Sequence, residues 1–484
     1  MTDVVSITQL IEVIYFINVL LAIYVVFQER KNPSTTWAWV MIMLFVPVVG
    51  FVLYLFIGQD MRKRKLFTKK EEQDQFYQLL HGQKERLNQH KNEFKSSFIQ
   101  DYHNIIRLHL VAHEALYTQD NYVDIYTDGY EKFDTLFDDI KKAKRYIHVQ
   151  YYIIRGDELG RKFLSLLIQK AKEGVDVKLL YDGMGCLWTP KGMFEDLSEA
   201  GGKVVCFYPP FIPYINLRVN YRNHRKICVI DGHMGYIGGF NIGTEYLGLN
   251  KKMGYWRDTH LRIKGSAVQM LALQFLLDWR FASKEQVALD DYMAQSTSAN
   301  RGTTGIQIVA SGPDSKWPSI RNGYLKLISE AQKSIYLQTP YFIPDDSLLE
   351  TLKVAALSGV DVNIMIPNKP DHPFVFWASL SYLSELLAAG AKCYTYEKGF
   401  LHAKTIVIDE KVCSVGTANF DIRSFKLNFE VNAFIYDRKI AKKIVTSFVT
   451  DVIDSKELTL EIYNKRGTIV KLKESISRLL SPML

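Results

Sequence analysis

At 484 residues, 48% hydrophobic and 23% charged, the chain is too long for one ordinary domain and too apolar for a disordered one. Sixty Lys and Arg against 52 Asp and Glu leave a formal charge of +8, which favours anionic partners without separating nucleic acid from an anionic lipid surface. The five cysteines, Cys186, Cys206, Cys228, Cys393 and Cys413, are odd in number and lack metal-ligand spacing, so neither a disulfide framework nor a zinc site is indicated.

In chain order, the first signal is apolar. Leu10 to Phe27 is interrupted only by Glu12 and Asn18, and Trp37 to Ile57 carries no charge. Each is close to the ~20 residues that cross a hydrocarbon core as a helix, so residues 1–60 read as two transmembrane helices. A cleaved secretory signal lacks support because residues 1–12 contain no cation. Arg30 and Lys31 lie between the runs, whereas Arg62, Lys63, Arg64, Lys65, Lys69 and Lys70 follow the second. The positive-inside rule then predicts a multi-pass protein of the cell membrane with a cytoplasmic body. The same cations would attract anionic membrane lipids, at about 1 kcal/mol each near the surface. Residues 61–118 read as a charged, helical linker.

From about Asn121 apolar strands alternate with amphipathic helices, which predicts an α/β body. The pattern then recurs. Ala143 to Ile153 matches Ala331 to Ile343 at its start, and Gly174-Val175-Asp176-Val177 matches Gly359-Val360-Asp361-Val362. Spacing this wide indicates a duplicated domain, not a solenoid; the polar stretch Ser296 to Gly305 separates a first unit over 119–300 from a second over 301–484.

A third match carries chemistry. His224-Arg225-Lys226 is followed by ICVI, Asp231 and Gly238-Gly239-Phe240-Asn241; His402-Ala403-Lys404 is followed by TIVI, Asp409 and Gly416-Thr417-Ala418-Asn419, with identical internal spacing. Composition alone would give about 0.009 such patterns. Their type and order resemble the phospholipase D superfamily. The N-terminal runs, the segment Glu29 to Trp39 and the ending Arg478-Leu479-Leu480-Ser481-Pro482 resemble bacterial cardiolipin synthases, so the likeness covers nearly the whole chain. Two departures stand out: Thr417 replaces the family's usual Ser, and Phe420-Asp421 follow Asn419 where Ile242-Gly243 follow Asn241.

The resemblance implies two phospholipase D-like domains forming a pseudo-twofold body behind the hairpin. Phosphodiester exchange needs a nucleophile, an acid for the leaving alkoxide and positive charge around the transition state. His and Lys two apart on a strand share a face, so two such motifs predict two imidazoles and two ammonium groups around one phosphorus. His224, Lys226, Asp231, His402, Lys404 and Asp409 are the candidate catalytic set, with Asp231 and Asp409 at the far strand ends expected to act structurally or electrostatically. Lys226, Lys404, Asn241 and Asn419 are candidate ligands of the nonbridging oxygens, with no metal and no cofactor expected. By resemblance, Asp258 and Glu430 are the acids that orient the imidazole in each copy, His224 is the nucleophile and His402 the acid and base.

The hairpin favours lipid, and the resemblance implies a phosphatidyltransferase making cardiolipin and glycerol from two phosphatidylglycerols through a phosphatidyl-histidine. A phospholipase D type hydrolase or a phosphatidylserine synthase is the alternative. A nucleic-acid processor or binder is a further class that the +8 charge permits but the clustering of cations beside the spans disfavours, so no nucleic-acid partner is expected. Oligomeric state is not legible. Two aromatic stretches, Phe207 to Tyr214 and Pro373 to Trp377, are expected to dip into the interface as an alternative to packing in the core.

Overall fold

The computed structural model describes residues 2–28, 33–54, 80–86, 89, 94–190, 192–209, 220–288, 292, 302–369 and 371–481. The basic cluster from Arg62 to Lys70, much of the linker and the segment 210–219 lie outside them. Helix α1 covers Thr2–Gln28 and pairs with α2, Pro33–Phe45, where Asn18 Nδ2 donates to the Met43 carbonyl at 2.6 Å. The second apolar run is not one straight helix. Pro47 has no N–H to continue the ladder, Val48 takes φ 67°, and α3, Val49–Leu53, turns back so that Tyr54 packs edge-on against Trp39 at 5.6 Å. Fifteen residues of straight helix would separate those rings by about 22 Å. Taken over the described residues, no helix is long and apolar enough to cross a membrane.

The body is built on one 15-stranded mixed sheet. Its first half contains β1 (Tyr117–Tyr126), β2 (Tyr146–Tyr151), β3 (Asp176–Asp182), β4 (Lys203–Phe207), β5 (Ile227–Ile230), β6 (Met234–Gly238) and β8 (His260–Lys264). Its second half contains β9 (Thr304–Ser311), β10 (Ser334–Gln338), β12 (Asp361–Pro367), β13 (Lys392–Tyr396), β15 (Thr405–Ile408), β16 (Val412–Gly416), β18 (Glu430–Tyr436) and the edge strand β19 (Ser455–Leu458). Reading outward from the antiparallel β1/β9 seam gives β1-β8-β6-β5-β2-β3-β4 on one side and β9-β18-β16-β15-β10-β12-β13 on the other. The duplicated segments thus occupy equivalent places, and the two halves share a sheet. Strands β5 (ICVI) and β15 (TIVI) are buried throughout, because helices cover both faces at the centre and leave no polar alternation.

Two short contacts clip the halves together above that sheet. The strand β7 (Tyr255–Arg257) of the first copy runs parallel to β14 (Gly399–Leu401) of the second, and a bridge joins Asn223 to Phe429. In the second copy β11 (Phe342–Ile343) also pairs with β17 (Phe420–Asp421). These clips bring each motif onto the other copy's chain. Of the aromatic stretches, Phe207 and Tyr208 are buried against Phe281 and Phe429, which corrects the membrane-dipping expectation for them: rings at 4.7–6.1 Å from one another form part of the core. Phe374, at the start of the helix Pro373–Ala388, is exposed, while Val375, Phe376 and Trp377 pack partly onto the core.

Candidate active site

Each histidine stands where a clip ends. The His224 N–H donates to the Phe429 carbonyl at 3.0 Å, and the His402 N–H to the Arg257 carbonyl at 2.7 Å. One residue further along each partner strand sits an acid. His224 Nδ1 lies 3.0 Å from both carboxylate oxygens of Glu430, and His402 Nδ1 lies 2.6 Å from Asp258 Oδ2. The acids are therefore exchanged: the second copy's Glu430 holds the first copy's histidine, and Asp258 holds the second copy's. This corrects the expectation of one acid serving its own copy. Since a carboxylate only accepts, Nδ1 carries the proton in both pairs and Nε2 is the nitrogen left for chemistry.

The lysines come two residues later, in the extended lead-in to β5 and β15 and not on the strands themselves. Lys226 Nζ donates to the His224 carbonyl at 2.7 Å, and Lys404 Nζ to the His402 carbonyl. All four groups are buried in one pocket of charge. Burial lowers the Lys226 pKa well below its ordinary value, with Lys404 adding to the fall and Glu430 opposing it. Burial takes Lys404 down to about 8 against the pull of Asp258 and Glu430. The imidazoles move the same way, His402 to about 4 through burial and Lys404, and His224 downward through burial that outweighs Glu430. Burial opposes ionisation of the two acids, yet Glu430 is held below its ordinary value by His224 and Lys226, and Asp258 by Lys404 and His402. Four bases thus face two carboxylates. A phosphodiester anion would add negative charge and draw protons back onto these bases.

Asp231 and Asp409 lie beyond the far ends of β5 and β15, roughly 17 Å past the lysines at strand rise, so they do not belong to the catalytic set. Each takes a left-handed backbone, φ 53° and 54°. Asp231 accepts the N–H groups of Lys144, Arg145 and Tyr146, and Asp409 those of Gln332, Lys333 and Ser334. They fix the starts of β2 and β10. The asparagines diverge as well. Asn241 is engaged by the protein at both ends, accepting from Ile153 N at 3.2 Å and donating to Tyr246 Oη at 3.0 Å, whereas buried Asn419 leaves Oδ1 without a hydrogen-bond partner.

The departures at the second motif have local reasons. A Cβ on Gly239 would stand 1.9 Å from Asp258 Oδ1, so glycine leaves the space that acid occupies. At the matching position Thr417 fits, and its hydroxyl donates to Glu430 Oε2 at 2.5 Å. Asp421 caps the short helix Ile422–Lys426 through Ser424 N at 2.6 Å.

Sequence reasoning missed a second layer. Arg225, the middle residue of the first motif, pairs with buried Asp278 and donates from Nε to the Glu430 carbonyl at 3.1 Å; Gln150 joins the same carboxylate at 2.7 Å. Arg257 pairs with Asp451, donates from Nη1 to the Asp258 carbonyl, and Gln338 joins at 2.8 Å. Gln150 and Gln338 are equivalent in the repeat, but the two arginines are not, so no repeat signal links them. Aromatic walls complete the site, with the Tyr152 ring 5.1 Å from His224 and the Trp256 ring 5.1 Å from His402. Among the described residues no cluster of His, Cys, Asp and Glu could hold a metal ion.

The sequence matches the family profile described as cardiolipin synthase, PLD-like domain, at residues 136–276 and 324–452, one segment in each half of the sheet. The chain belongs to that family. A second profile, phospholipase D-nuclease N-terminal, matches residues 16–59. The major cardiolipin synthase ClsA of Bacillus subtilis is 52% identical over 476 residues, 98% of this chain and 99% of the relative, and a cardiolipin synthase of Oceanobacillus iheyensis is 50% identical over 472 residues, 97% and 98%. The phosphatidylserine synthase of Haemophilus influenzae superimposes with TM-score 0.61 at 16% identity, covering 79% of this chain and all of that one, a likeness of fold.

Proposed function

We propose that the cardiolipin synthase activity carried by this family membership runs through a double displacement between the two histidines. Near-full-length identity of about 50% to cardiolipin synthases is the observation that carries the activity; the exchanged His–acid pairs support the mechanism. His224 Nε2 attacks the phosphorus of one phosphatidylglycerol while protonated His402 gives its proton to the departing glycerol oxygen. One P–O bond is replaced by a P–N bond. Neutral His402 then takes the proton of a hydroxyl on the second phosphatidylglycerol, whose oxygen attacks phosphorus and releases His224, giving cardiolipin. Lys226 and Lys404 face the growing charge on the nonbridging oxygens, with Asn419 beside them, and the polar ends of Asp258 and Glu430 hold each imidazole as its charge changes. Phosphatidylglycerol vesicles as sole lipid are the test. Equal molar cardiolipin and glycerol are expected; phosphatidic acid in place of cardiolipin would make the protein a hydrolase.

The N-terminal element supports a seat in the cell membrane, and the cations from Arg62 to Lys70 that follow it support a body on the cytoplasmic side. Helices α1 and α2 bury a narrow seam around Ala22, Trp39 and Met43 and expose Phe16, Leu20, Trp37 and Phe45, an outward apolar surface that lipid stabilises and water does not. As folded, the 13 residues of α2 reach about 20 Å, short of the ~30 Å core. The two-crossing, multi-pass arrangement adds that the chain straightens at Pro47 in the bilayer. A tag at residue 1 should then be cytoplasmic, and a tag reached from outside intact cells would leave one crossing.

A further inference from the structure

The last helix of the chain, Thr468–Leu479, is turned inside out. Its face against the body is mostly polar or small: Glu474, Ser477 and the following Ser481 are buried, with half-buried Val470 the one apolar residue of the helix in that register. Its other four apolar residues recur at positions 469, 472, 476 and 479, one stripe of a 3.6-residue helix, and they point away. Ile469 is 72% exposed, Leu472 60%, Ile476 46% and Leu479 82%. A helix that packs only by hydrophobic burial would show the opposite pattern. The preceding short helix Leu460–Asn464 adds exposed Leu460 and Ile462 to the same terminal unit.

Charge on the Thr468–Leu479 helix is sorted too, while the short helix before it carries exposed Glu461 paired with Lys465. The only acid of the Thr468–Leu479 helix, Glu474, faces inward and is held by Arg466 and by Tyr463 Oη at 3.1 Å. Its exposed charges are Lys471 and Lys473. The outer surface therefore combines apolar side chains with cations, the composition of a helix that lies in the headgroup layer of an anionic bilayer.

The position is tied to the active site. Lys473 lies over the Trp377 ring at 5.4 Å and Arg478 over Tyr382 at 4.5 Å, with Arg478 also reaching the Ser381 carbonyl and Glu385. The two ring contacts advance together along both helices, from Lys473 on Trp377 to Arg478 on Tyr382, so this helix runs parallel to Pro373–Ala388. That places Ile469 and Leu472 beside the beginning of Pro373–Ala388, where Phe374 is exposed. Just before it, Asp371 accepts from Tyr341 Oη, and its charge acts on Lys404. The outward stripe and the rim of the second motif thus share one end of the molecule.

We infer that the helix Thr468–Leu479 is an interfacial docking face that rests on an anionic lipid surface and sets the mouth of the active site against the bilayer that holds its substrate. The inference rests on the phosphatidylglycerol reading above. The test uses the full chain carrying Leu472→Cys labelled with a nitrobenzoxadiazole dye, selective because burial raises the thiol pKa of each native cysteine to about 12 or above. The protein is reconstituted in phosphatidylcholine vesicles with or without phosphatidylglycerol. A blue shift and quenching by spin-labelled lipid, stronger with phosphatidylglycerol, are expected. Dye that stays water-exposed in phosphatidylglycerol vesicles would overturn the docking, and shielding that depends on protein concentration and not on lipid quencher would assign the face to a second copy of the chain instead. Ile469→Ser with Leu472→Ser and Ile476→Ser should raise KM for vesicle phosphatidylglycerol at least fivefold and leave turnover of a soluble short-chain phosphatidylglycerol unchanged; unchanged KM would also reject it. The dye reports lipid contact without turnover, so failure of the proposed reaction would show separately, as absence of cardiolipin from the unmodified chain.

Discussion

At the residue scale, the site depends on what each side chain leaves room for. Gly239 is glycine because Asp258 fills the space of its Cβ, so Gly239→Ala should displace the acid from His402 and lower turnover on the order of tenfold, about 1.4 kcal/mol, while the fold holds. Unchanged turnover, with cardiolipin formation measured in vesicles, would contradict that reading. Lys226→Ala or Lys404→Ala should each cost ~2.7–4 kcal/mol of transition-state stabilisation, as loss of one preorganised donor does. The buried bases also fix the pH behaviour. Burial takes Lys404 down to about 8, below the ~10.4 of a free lysine. The folded protein therefore releases that proton first, and this group's contribution to stability rises with pH from about 8 upward, the charged form being the cost. His402, at about 4, has the same sign: its contribution is complete above the unfolded value of ~6.5 and is lost as pH falls toward 4. For the phosphate contact, binding of an unreactive phosphodiester analogue should weaken on the alkaline side as Lys404 loses its proton near 8, and Lys404→Arg, which cannot deprotonate there, should remove that limb. A limb that stays in place would assign it to another group.

At the scale of elements, the exchange of acids between copies makes separable expectations. Glu430→Gln should slow the step at His224, on the order of a hundredfold or more by analogy with loss of a carboxylate behind any catalytic imidazole. Asp258→Asn should spare loading of His224 from a p-nitrophenyl phosphatidyl diester, whose leaving group needs no acid, and slow its release. Rapid-quench analysis of a labelled phosphatidyl substrate distinguishes them, and the reverse pattern would contradict the pairing. Much of this site was legible in the sequence: both HxK motifs and the strands that follow come from spacing in the repeat, and both acids from the family resemblance. The exchange was not, because it is made by β7 against β14 and Asn223 against Phe429, contacts between segments about 145 and 206 residues apart that no local period encodes. The Arg225–Asp278 and Arg257–Asp451 pairs were hidden for the same reason. The partners of Asn241 were hidden too, because an amide in a motif carries no mark of the neighbouring Ile153 and Tyr246 that hold it.

At the scale of the molecule, the two copies form one catalytic unit only because they share the sheet and its clips, and neither half alone holds a complete His–acid pair. The hydrophobic run to Ile57 showed that the N-terminus is apolar, but a run of apolar residues does not report the reversal at Pro47, which follows from a missing N–H. The topology is expected to shield the body from outside: protease added to intact cells should leave everything beyond residue 60 uncut, and cleavage there would reverse the orientation. The most direct measurement of the central claim uses a p-nitrophenyl phosphatidyl diester, whose leaving group needs no acid. His402→Ala should release a burst of nitrophenol stoichiometric with enzyme and carry an acid-labile phosphatidyl label on His224, and His224→Ala should give neither. A label on His402 in the His224→Ala protein would reverse the two roles, and the absence of label from both variants would contradict the double displacement.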